Sequence, residues 1–235
     1  MKSEAREVAH DDRKAYFIDE LCRRVLSMNL APGAALDELK LVKEYGLSRP
    51  PIREALRKIA AEGYIVLEAN RAPRVTHLCH DAARSFFHAA PMVYDATMQL
   101  AAKNATREAV NVLREIQSRY RENLQGDPDE LLYLVNSLYI EMGKIANNSF
   151  LLPSLRRLLI DHARLEKTWH LRSTPDDSQR MRRITCMLHD QIVDAIEEHN
   201  PKRVSHLVQR WMKVARRTGY NATIRIRRTS AVSLG

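Results

Sequence analysis

Apolar residues near the start of the chain recur at the spacing of an α-helix. The stripe consists of Ile18, Leu21, Cys22 and Val25, at positions i, i+3, i+4 and i+7. A single apolar face of this kind predicts a helix over about residues 14–28. Residues 1–13 are polar, and we expect them to be frayed. Pro32 and Gly33 end the predicted helix, because both residues interrupt helical geometry.

Two further helices follow, separated by a tight turn at Gly46-Leu47. Asp37 can cap the first, over residues 38–45, and Ser48 can cap the second. Two prolines fall in the first turn of the second helix, where a missing N–H costs little. Its buried stripe is predicted to consist of Ile52, Ala55, Leu56 and Ile59. Gly63 ends this helix in the manner of a glycine cap.

The pattern after Gly63 changes to that of a β-hairpin. Residues 64–67 are β-like, residues 70–73 predict a turn, and residues 74–76 return as a second strand. Three helices followed by a small hairpin are the plan of a winged helix-turn-helix.

The chain after residue 80 has a helical pattern almost to residue 218. The predicted helices cover residues 81–103, 106–125, 128–146, 150–171, 178–198 and 201–218, and Pro91 predicts a kink in the first of them. The fold class is therefore mainly α. We expect a winged helix-turn-helix over residues 1–78, an all-α bundle over residues 79–220 and a basic tail over residues 221–235.

The formal net charge of the chain is +9. Residues 199–235 contain nine Lys and Arg and no Asp or Glu, so the remaining chain, with 29 basic and 29 acidic residues, has no net charge. A basic excess favours an anionic partner, but its location does not mark the DNA-reading helix. The tail is predicted either to contact DNA phosphates or to remain disordered.

Three widely spaced cysteines argue against a disulfide framework and favour a reducing compartment. The N-terminus has no apolar signal region, and no segment approaches the length of a membrane span. We therefore expect a soluble, cytoplasmic protein without a membrane partner. No nucleophile–base motif or glycine-rich phosphate loop is present, which argues against an enzyme.

The third helix has a pattern that suits DNA recognition. Arg49, Arg53 and Arg57 share one face, interpreted as lying opposite the apolar stripe, and an Arg fork can bind guanine in the major groove. Ser48 and the helix N-terminus can hold a phosphate. Other basic residues are suited to the DNA backbone and, in the hairpin, to the minor groove. The predicted DNA-binding residues are Lys40, Lys43, Ser48, Arg49, Arg53, Arg57, Lys58, Arg71 and Arg74.

Residues 47–65, LSRPPIREALRKIAAEGYI, resemble the signature SRTPVREALRRLEAEGLV of GntR-family regulators. Residues 31–36, APGAAL, resemble the PGxxL connection of the same family. The resemblance covers about residues 14–77 and implies a homodimeric, sequence-specific DNA-binding regulator. Pro50 departs from the pattern, since the family usually has Thr there, so any phosphate contact that this hydroxyl makes in relatives is missing here.

The helical remainder resembles the FCD effector domain of the FadR subfamily. The similar segments are LAA at residues 100–102, ANNSFLL at 146–152 and LHDQIVDAI at 188–196. In that family one Asp and three His hold a divalent metal that helps to bind a carboxylate effector. The corresponding positions here are Val135, Tyr139, His189 and Trp211, and a one-residue shift would give Asn136 and Ile140 instead of the first two. The family's effector-facing Arg and Glu correspond to Ala90 and Tyr94.

Because only one imidazole remains, the resemblance implies a pocket without a metal or other cofactor. We expect Tyr94, Tyr139, His189 and Trp211 to surround it and to accept a neutral, aromatic or amphipathic effector, or to fill the old cavity as core. Cys186 and His189 could form half of a metal site, whereas His162, His170, His199 and His206 are interpreted as surface or satisfied core residues. The predicted function is repression relieved by a small molecule. The alternative is a constitutive DNA-binding dimer whose bundle is only a scaffold.

Overall fold

A computed structural model of the chain describes the backbone of residues 2–78 and 80–224 and the side chains of residues 11–78 and 81–216. Within these residues the chain divides into two compact units, Met1–His77 and Leu78–Gly235. The first contains three helices and a two-stranded sheet. The second is helical throughout its described part. A mainly α fold with a winged helix-turn-helix and a helical bundle is confirmed.

The winged unit has the element order predicted from the pattern. Its elements are α1 (Lys2–Leu26), α2 (Glu38–Tyr45), α3 (Arg49–Ala61), β1 (Ile65–Val66) and β2 (Arg74–Val75). The strands are antiparallel, with Ile65 opposite Val75 and Val66 opposite Arg74. An isolated bridge between Ala35 and Arg74 adds the segment before α2 to the sheet.

The core of the winged unit forms where α1 and α2 pack on α3. Phe17, Leu21 and Val25 of α1 are fully buried, as are Ile52 and Leu56 of α3. The stripe predicted for α3 is confirmed in full, whereas that of α1 is confirmed at Leu21 and Val25 only, because Ile18 and Cys22 are half-buried and Phe17 takes their place in the core. The predicted start of α1 is wrong, because the helix begins at Lys2. Residues 2–13 contain no Gly or Pro and are rich in Ala, Glu, Arg and Lys, so helix propensity extends α1 toward the N-terminus without an apolar stripe.

The turns on both sides of α3 depend on glycines in the left-handed region. Gly46 has φ +61° between α2 and α3, and Gly63 has φ +91° after α3. The Tyr64 N–H donates to Ile59 O and the Gly63 N–H donates to Ala60 O, which together form a Schellman motif. These turns fix where α3 begins and ends, and hence which of its residues face outward.

The N-cap residues of α2 and α3 are Asp37 and Ser48, both residue types that favour this position, but only Asp37 makes a capping hydrogen bond. The Asp37 carboxylate accepts hydrogen bonds from the N–H groups of Leu39 and Lys40. Ser48 lies at the N-cap of α3 but makes no side-chain cap bond, so the predicted capping bond is wrong. An N-cap side chain binds the N–H of the second or third helical residue, and here those residues are Pro50 and Pro51, which have none.

We therefore expect the two alanine variants of these caps to differ in stability. Asp37→Ala should lower the free energy of unfolding of the winged unit by about 1 kcal/mol, because two N–H groups lose their acceptor. Ser48→Ala should change it by less than about 0.5 kcal/mol. Urea denaturation followed by circular dichroism measures both, and equal losses in the two variants would contradict this account of the caps.

The bundle consists of six helices in its described part. They are α4 (His80–Asn104), α5 (Arg107–Glu122), α6 (Pro128–Ala146), α7 (Leu151–His170), α8 (Pro175–Glu197) and α9 (Pro201–Ile224). Helix α4 packs against α6, α7, α8 and α9, and α5 packs against α6 and α8. Helix α4 continues through Pro91. Helix α8 begins three residues before its predicted start, because Thr174 caps it through the Asp177 N–H.

The predicted tail, residues 221–235, begins inside α9, which continues to Ile224. The predicted end of the last helix at residue 218 is therefore wrong, and residues 225–235 of the tail lie outside the described residues. None of the helices in the described part of the chain combines the length and the apolar content that a membrane span requires.

Candidate functional site

The arginines of α3 form an exposed face beside the buried stripe of this helix. Arg49, Arg53 and Arg57 are all exposed, whereas Ile52 and Leu56 are buried. At 100° per residue the centre of the arginine face lies about 110° around α3 from the centre of the stripe. The arginine face is therefore lateral, and its interpretation as opposite the stripe is wrong. The guanidinium groups still project from one side of α3, away from the core.

The other predicted DNA-binding side chains are exposed as well. They are Lys40 and Lys43 on α2, Ser48 at the start of α3, Lys58 near its end, and Arg71 and Arg74 in the hairpin. The winged unit thus offers basic side chains from two helices and one hairpin. An array of this kind can neutralise phosphates while α3 contacts base edges.

The arginine face also includes a hydrogen bond to an acidic residue, Glu38, that was not predicted from the sequence. Glu38 Oε2 accepts a hydrogen bond of 2.9 Å from Arg53 Nε. Because the bond uses Nε, the two terminal nitrogens of Arg53 can still face a base. Glu38 lies in the first turn of α2, and only the packing of α2 on α3 makes it a neighbour of Arg53.

The N-terminus of α3 is a poorer phosphate site than the sequence interpretation implies. The anion affinity of a helix start comes from N–H groups that have no partner within the helix. Pro50 and Pro51 remove two of them, so among the first three helical residues only Arg49 keeps an N–H. Phosphate contacts at this point are left to the Arg49 N–H and the Ser48 hydroxyl.

The two arginines of the hairpin have different surroundings. Arg71 forms an exposed ion pair of 2.6 Å with Glu68. Exposed pairs of this kind contribute little free energy, so breaking one costs little. Arg74 Nη1 donates to Gly33 O at 3.1 Å. Arg71, in the turn between β1 and β2, can therefore leave Glu68 and bind another anion. Arg74 also joins β2 to the segment before α2.

The four residues predicted to surround an effector pocket lie together in the bundle. Ring centroids of Tyr94 and Tyr139 are 5.3 Å apart, those of Tyr94 and Trp211 are 5.2 Å apart, and those of Tyr139 and His189 are 5.3 Å apart. All four side chains are buried. Their sequence separation of up to 117 positions shows that α4, α6, α8 and α9 meet at this cluster.

A short hydrogen bond orders the polar atoms of the cluster. Tyr139 Oη lies 2.7 Å from His189 Nε2. Burial lowers the pKa of His189 to about 4, so its imidazole is neutral at pH 7. Burial also raises the pKa of Tyr139, so the hydroxyl keeps its proton and can donate it to Nε2. The remaining His189 Nδ1–H is a buried donor without a protein partner.

Beside the ring cluster lies a cavity of about 40 Å³, which is more space than one water molecule needs. Its lining comprises Phe86, Phe87, Val135, His162, Leu165, Glu166, Trp169, Met181, Thr185, His189, Trp211, Val214 and Ala215. Of the predicted pocket residues, His189 and Trp211 line it. Tyr94 and Tyr139 do not, because they lie behind the lining, in the core.

Four residues of α7 line the cavity without having been predicted, and two of them, His162 and Glu166, have titratable side chains. His162, interpreted from the sequence as surface or satisfied core, is buried with its ring 5.2 Å from that of Trp211. Glu166 follows one helical turn later, with 18% of its side chain exposed. The spacing of four is a weak signal that the two share a face of α7, but no local pattern indicates that this face adjoins a cavity.

The side chains present do not fit the metal site that the family resemblance implies. Val135 and Trp211 have no ligand atom for a divalent ion, and Tyr139 and His189 are bonded to each other. Within the described ranges, no three His, Cys, Asp or Glu residues lie close enough to hold a metal ion. Cys186, the other half of the suggested pair, is buried against Gln117 rather than His189.

The pKa of His189 makes the stability of the bundle depend on pH. The unfolded imidazole has a pKa of 6.5, and the folded one about 4. Between these values the unfolded chain binds a proton that the folded protein does not, so the free energy of unfolding falls as the pH falls. From pH 7 to pH 5 we expect His189 to contribute a loss of about 2 kcal/mol. Urea denaturation at the two pH values measures this loss.

Two variants isolate the contribution of His189 to this pH dependence. His189→Asn should make the difference between pH 7 and pH 5 smaller. The exposed His206 is the matched control, and His206→Asn should leave the difference unchanged. An unchanged difference in His189→Asn would contradict the assignment.

Both units match known protein families. Residues 17–75 match the model of bacterial regulatory proteins of the gntR family, and residues 93–213 match the FCD domain. Together the matches include α2, α3 and the hairpin of the winged unit, and the ring cluster of the bundle.

Curated relatives are similar over part of their length. The Nta operon transcriptional regulator of Aminobacter aminovorans is 24% identical over 133 residues, which are 57% of this chain and 63% of the relative. The HTH-type transcriptional regulator YdhC of Bacillus subtilis (strain 168) is 21% identical over 127 residues, or 54% and 57%. The chain thus spans less than two thirds of these relatives.

Solved structures support the fold. E. coli McbR/YncC superposes with a TM-score of 0.75 at 15% identity, over 89% of this chain and 97% of that one. A putative GntR regulator from Rhodococcus sp. RHA1 gives a TM-score of 0.64 at 18% identity, over 90% and 99%. From the two family matches, the chain belongs to the GntR family of bacterial regulatory proteins, with an FCD domain as its second unit.

Proposed function

We propose that two copies of the chain bind a two-fold symmetric DNA operator and that a small molecule in the bundle cavity weakens this binding. The protein would then act in the cytoplasm as a repressor that is relieved by its effector. Family membership supports the DNA-binding role, and the FCD domain supports the effector role.

The exposed arginine face of α3 carries this proposal. Three guanidinium groups project from one side of a helix whose apolar stripe anchors it to the core. Each guanidinium can bind O6 and N7 of a guanine bidentately, and this contact is worth about 1–3 kcal/mol of discrimination against another base. Lys40, Lys43 and Lys58 would contact phosphates, and Arg71 would reach the adjacent minor groove.

The bundle cavity favours an effector over a pure scaffold. A well-packed scaffold needs neither a cavity of about 40 Å³ nor an unpartnered donor such as His189 Nδ1–H. A ligand there would contact helices α4, α6, α7, α8 and α9 at once. It could therefore favour one arrangement of the bundle helices over another, and so change how two winged units fit an operator.

Selection of duplexes from a random-sequence library tests the DNA-binding part. We expect enrichment of one sequence with two-fold symmetry, and light scattering of the complex should give two chains per duplex. Failure to enrich any sequence, or enrichment of a site that binds a single chain, would contradict the proposal.

A thermal-shift screen of small metabolites on the full chain tests the effector part. A compound that stabilises the protein should also release the selected duplex in a gel-shift assay. A screen in which every stabilising compound leaves duplex affinity unchanged would favour the constitutive DNA-binding dimer.

A further inference from the structure

One charged side chain faces the bundle cavity. Of the described residues that line it, Glu166 alone is ionised at neutral pH, and neither Lys nor Arg is among them. Burial by itself raises the pKa of this carboxyl, but the contact with His170 and the neighbouring His162 and His189 lower it below its ordinary value. The cavity therefore has a negative charge in its wall.

The Glu166 carboxylate has a long ion pair with His170, whose imidazole is charged only when it is protonated. His170 Nε2 lies 3.6 Å from Oε1, beyond a good hydrogen bond, and His170 is not part of the lining. A carboxylate with most of its surface buried is costly unless it has a hydrogen-bonded or charged partner. The side of Glu166 that faces the cavity lacks such a partner within the described lining.

The rest of the wall suits a positive charge. Phe86, Phe87, Trp169 and Trp211 present aromatic rings to the same space. Aromatic faces attract cations through the negative face of the ring, and Trp does so best. A carboxylate ligand would instead meet the Glu166 charge in a medium of low dielectric constant, where repulsion is strong.

We infer that the bundle cavity binds a small organic cation, of the class of the alkylammonium ions, with Glu166 as its counter-ion and the tryptophan rings around its charge. This inference rests on the proposed effector role of the bundle and names the ligand class. It differs from the sequence expectation of a neutral, aromatic or amphipathic ligand, which did not take Glu166 into account.

Three probes of nearly equal size and different charge test the inference. They are n-butylammonium, 1-butanol and butyrate, each titrated into the full-length protein at an ionic strength matched with sodium chloride. Binding is followed by calorimetry and by fluorescence of the two tryptophans, which both line the cavity. We expect n-butylammonium to bind at least tenfold more tightly than 1-butanol, and butyrate to bind most weakly.

Variants of Glu166 test whether this carboxylate causes the preference. Glu166→Gln keeps the size of the side chain and should remove the tenfold preference for the cation. Glu166→Asp keeps the charge and should retain a preference. Glu115→Gln, a change at an exposed residue of α5 outside the lining, is the matched control and should behave like the original protein.

Three results would overturn the inference: equal binding of the cation and the alcohol, tighter binding of butyrate, or no binding of any probe. A preference that persists in a folded Glu166→Gln protein would overturn the role of Glu166. Duplex affinity, measured on the same samples, is independent of these titrations. A protein that binds its selected duplex but shows no charge preference would refute the ligand class and leave the proposed DNA-binding function standing.

Discussion

Replacing Arg49 and Arg53 together with alanine should lower the affinity for the selected operator by about 30-fold to 10⁴-fold. Each bidentate guanine contact contributes about 1–3 kcal/mol of discrimination, and two lost contacts give about 2–6 kcal/mol. The stability of the winged unit should change little, because both side chains are exposed. Fluorescence anisotropy with the selected duplex and with an unrelated duplex measures both affinity and specificity.

The specificity measurement separates base contacts from phosphate contacts. The double substitution of Arg49 and Arg53 should lower the affinity for the selected duplex far more than the affinity for the unrelated one. Lys43→Ala should lower both affinities about equally. Arg180→Ala, at an exposed arginine of α8, is the control and should change neither. Equal loss on both duplexes in the double variant would mean that α3 contacts only the DNA backbone.

Replacing Trp211 with alanine should lower the free energy of unfolding of the bundle by about 3–5 kcal/mol. The indole is 3% exposed, and its ring lies within about 6.2 Å of the rings of Tyr94, Tyr139, His162 and His189. Its removal leaves a large hole beside an existing cavity, where little can move in to fill it. Thermal and urea denaturation measure the loss.

Phe150 provides the matched aromatic control for this change. It precedes α7 with 84% of its surface exposed, so Phe150→Ala should cost less than about 0.5 kcal/mol. A loss below about 1 kcal/mol in Trp211→Ala would mean that the cluster around Tyr139 is not packed as described.

The winged unit could be predicted almost element by element because its signals are local. Gly46 and Gly63 mark turns that need a positive φ, and both adopt one. The stripe of α3 follows from its own spacing, and Asp37 caps α2 within the next three residues. The failed cap at Ser48 was also readable from the sequence, since the two prolines that follow have no N–H to donate.

The bundle helices could be predicted for the same reason, but the cavity could not. Whether His162 and Glu166 face solvent, core or a cavity depends on how α7 packs against α4, α6 and α9, and no local pattern specifies that packing. His189 and Trp211, which were assigned to a pocket by their alignment with the family, line this cavity. The family resemblance gave no signal for Glu166, whose proposed role rests on its being the one charged side chain among the described lining residues.

Methylation interference on the selected duplex tests the central claim most directly, because dimethyl sulfate modifies guanine N7 in the major groove and adenine N3 in the minor groove. The account predicts that methylation of guanines in each half-site blocks binding, and that Arg49→Ala or Arg53→Ala removes this sensitivity at particular guanines. Binding that tolerates methylation of every guanine N7, or sensitivity at adenine N3 alone, would contradict major-groove recognition by α3.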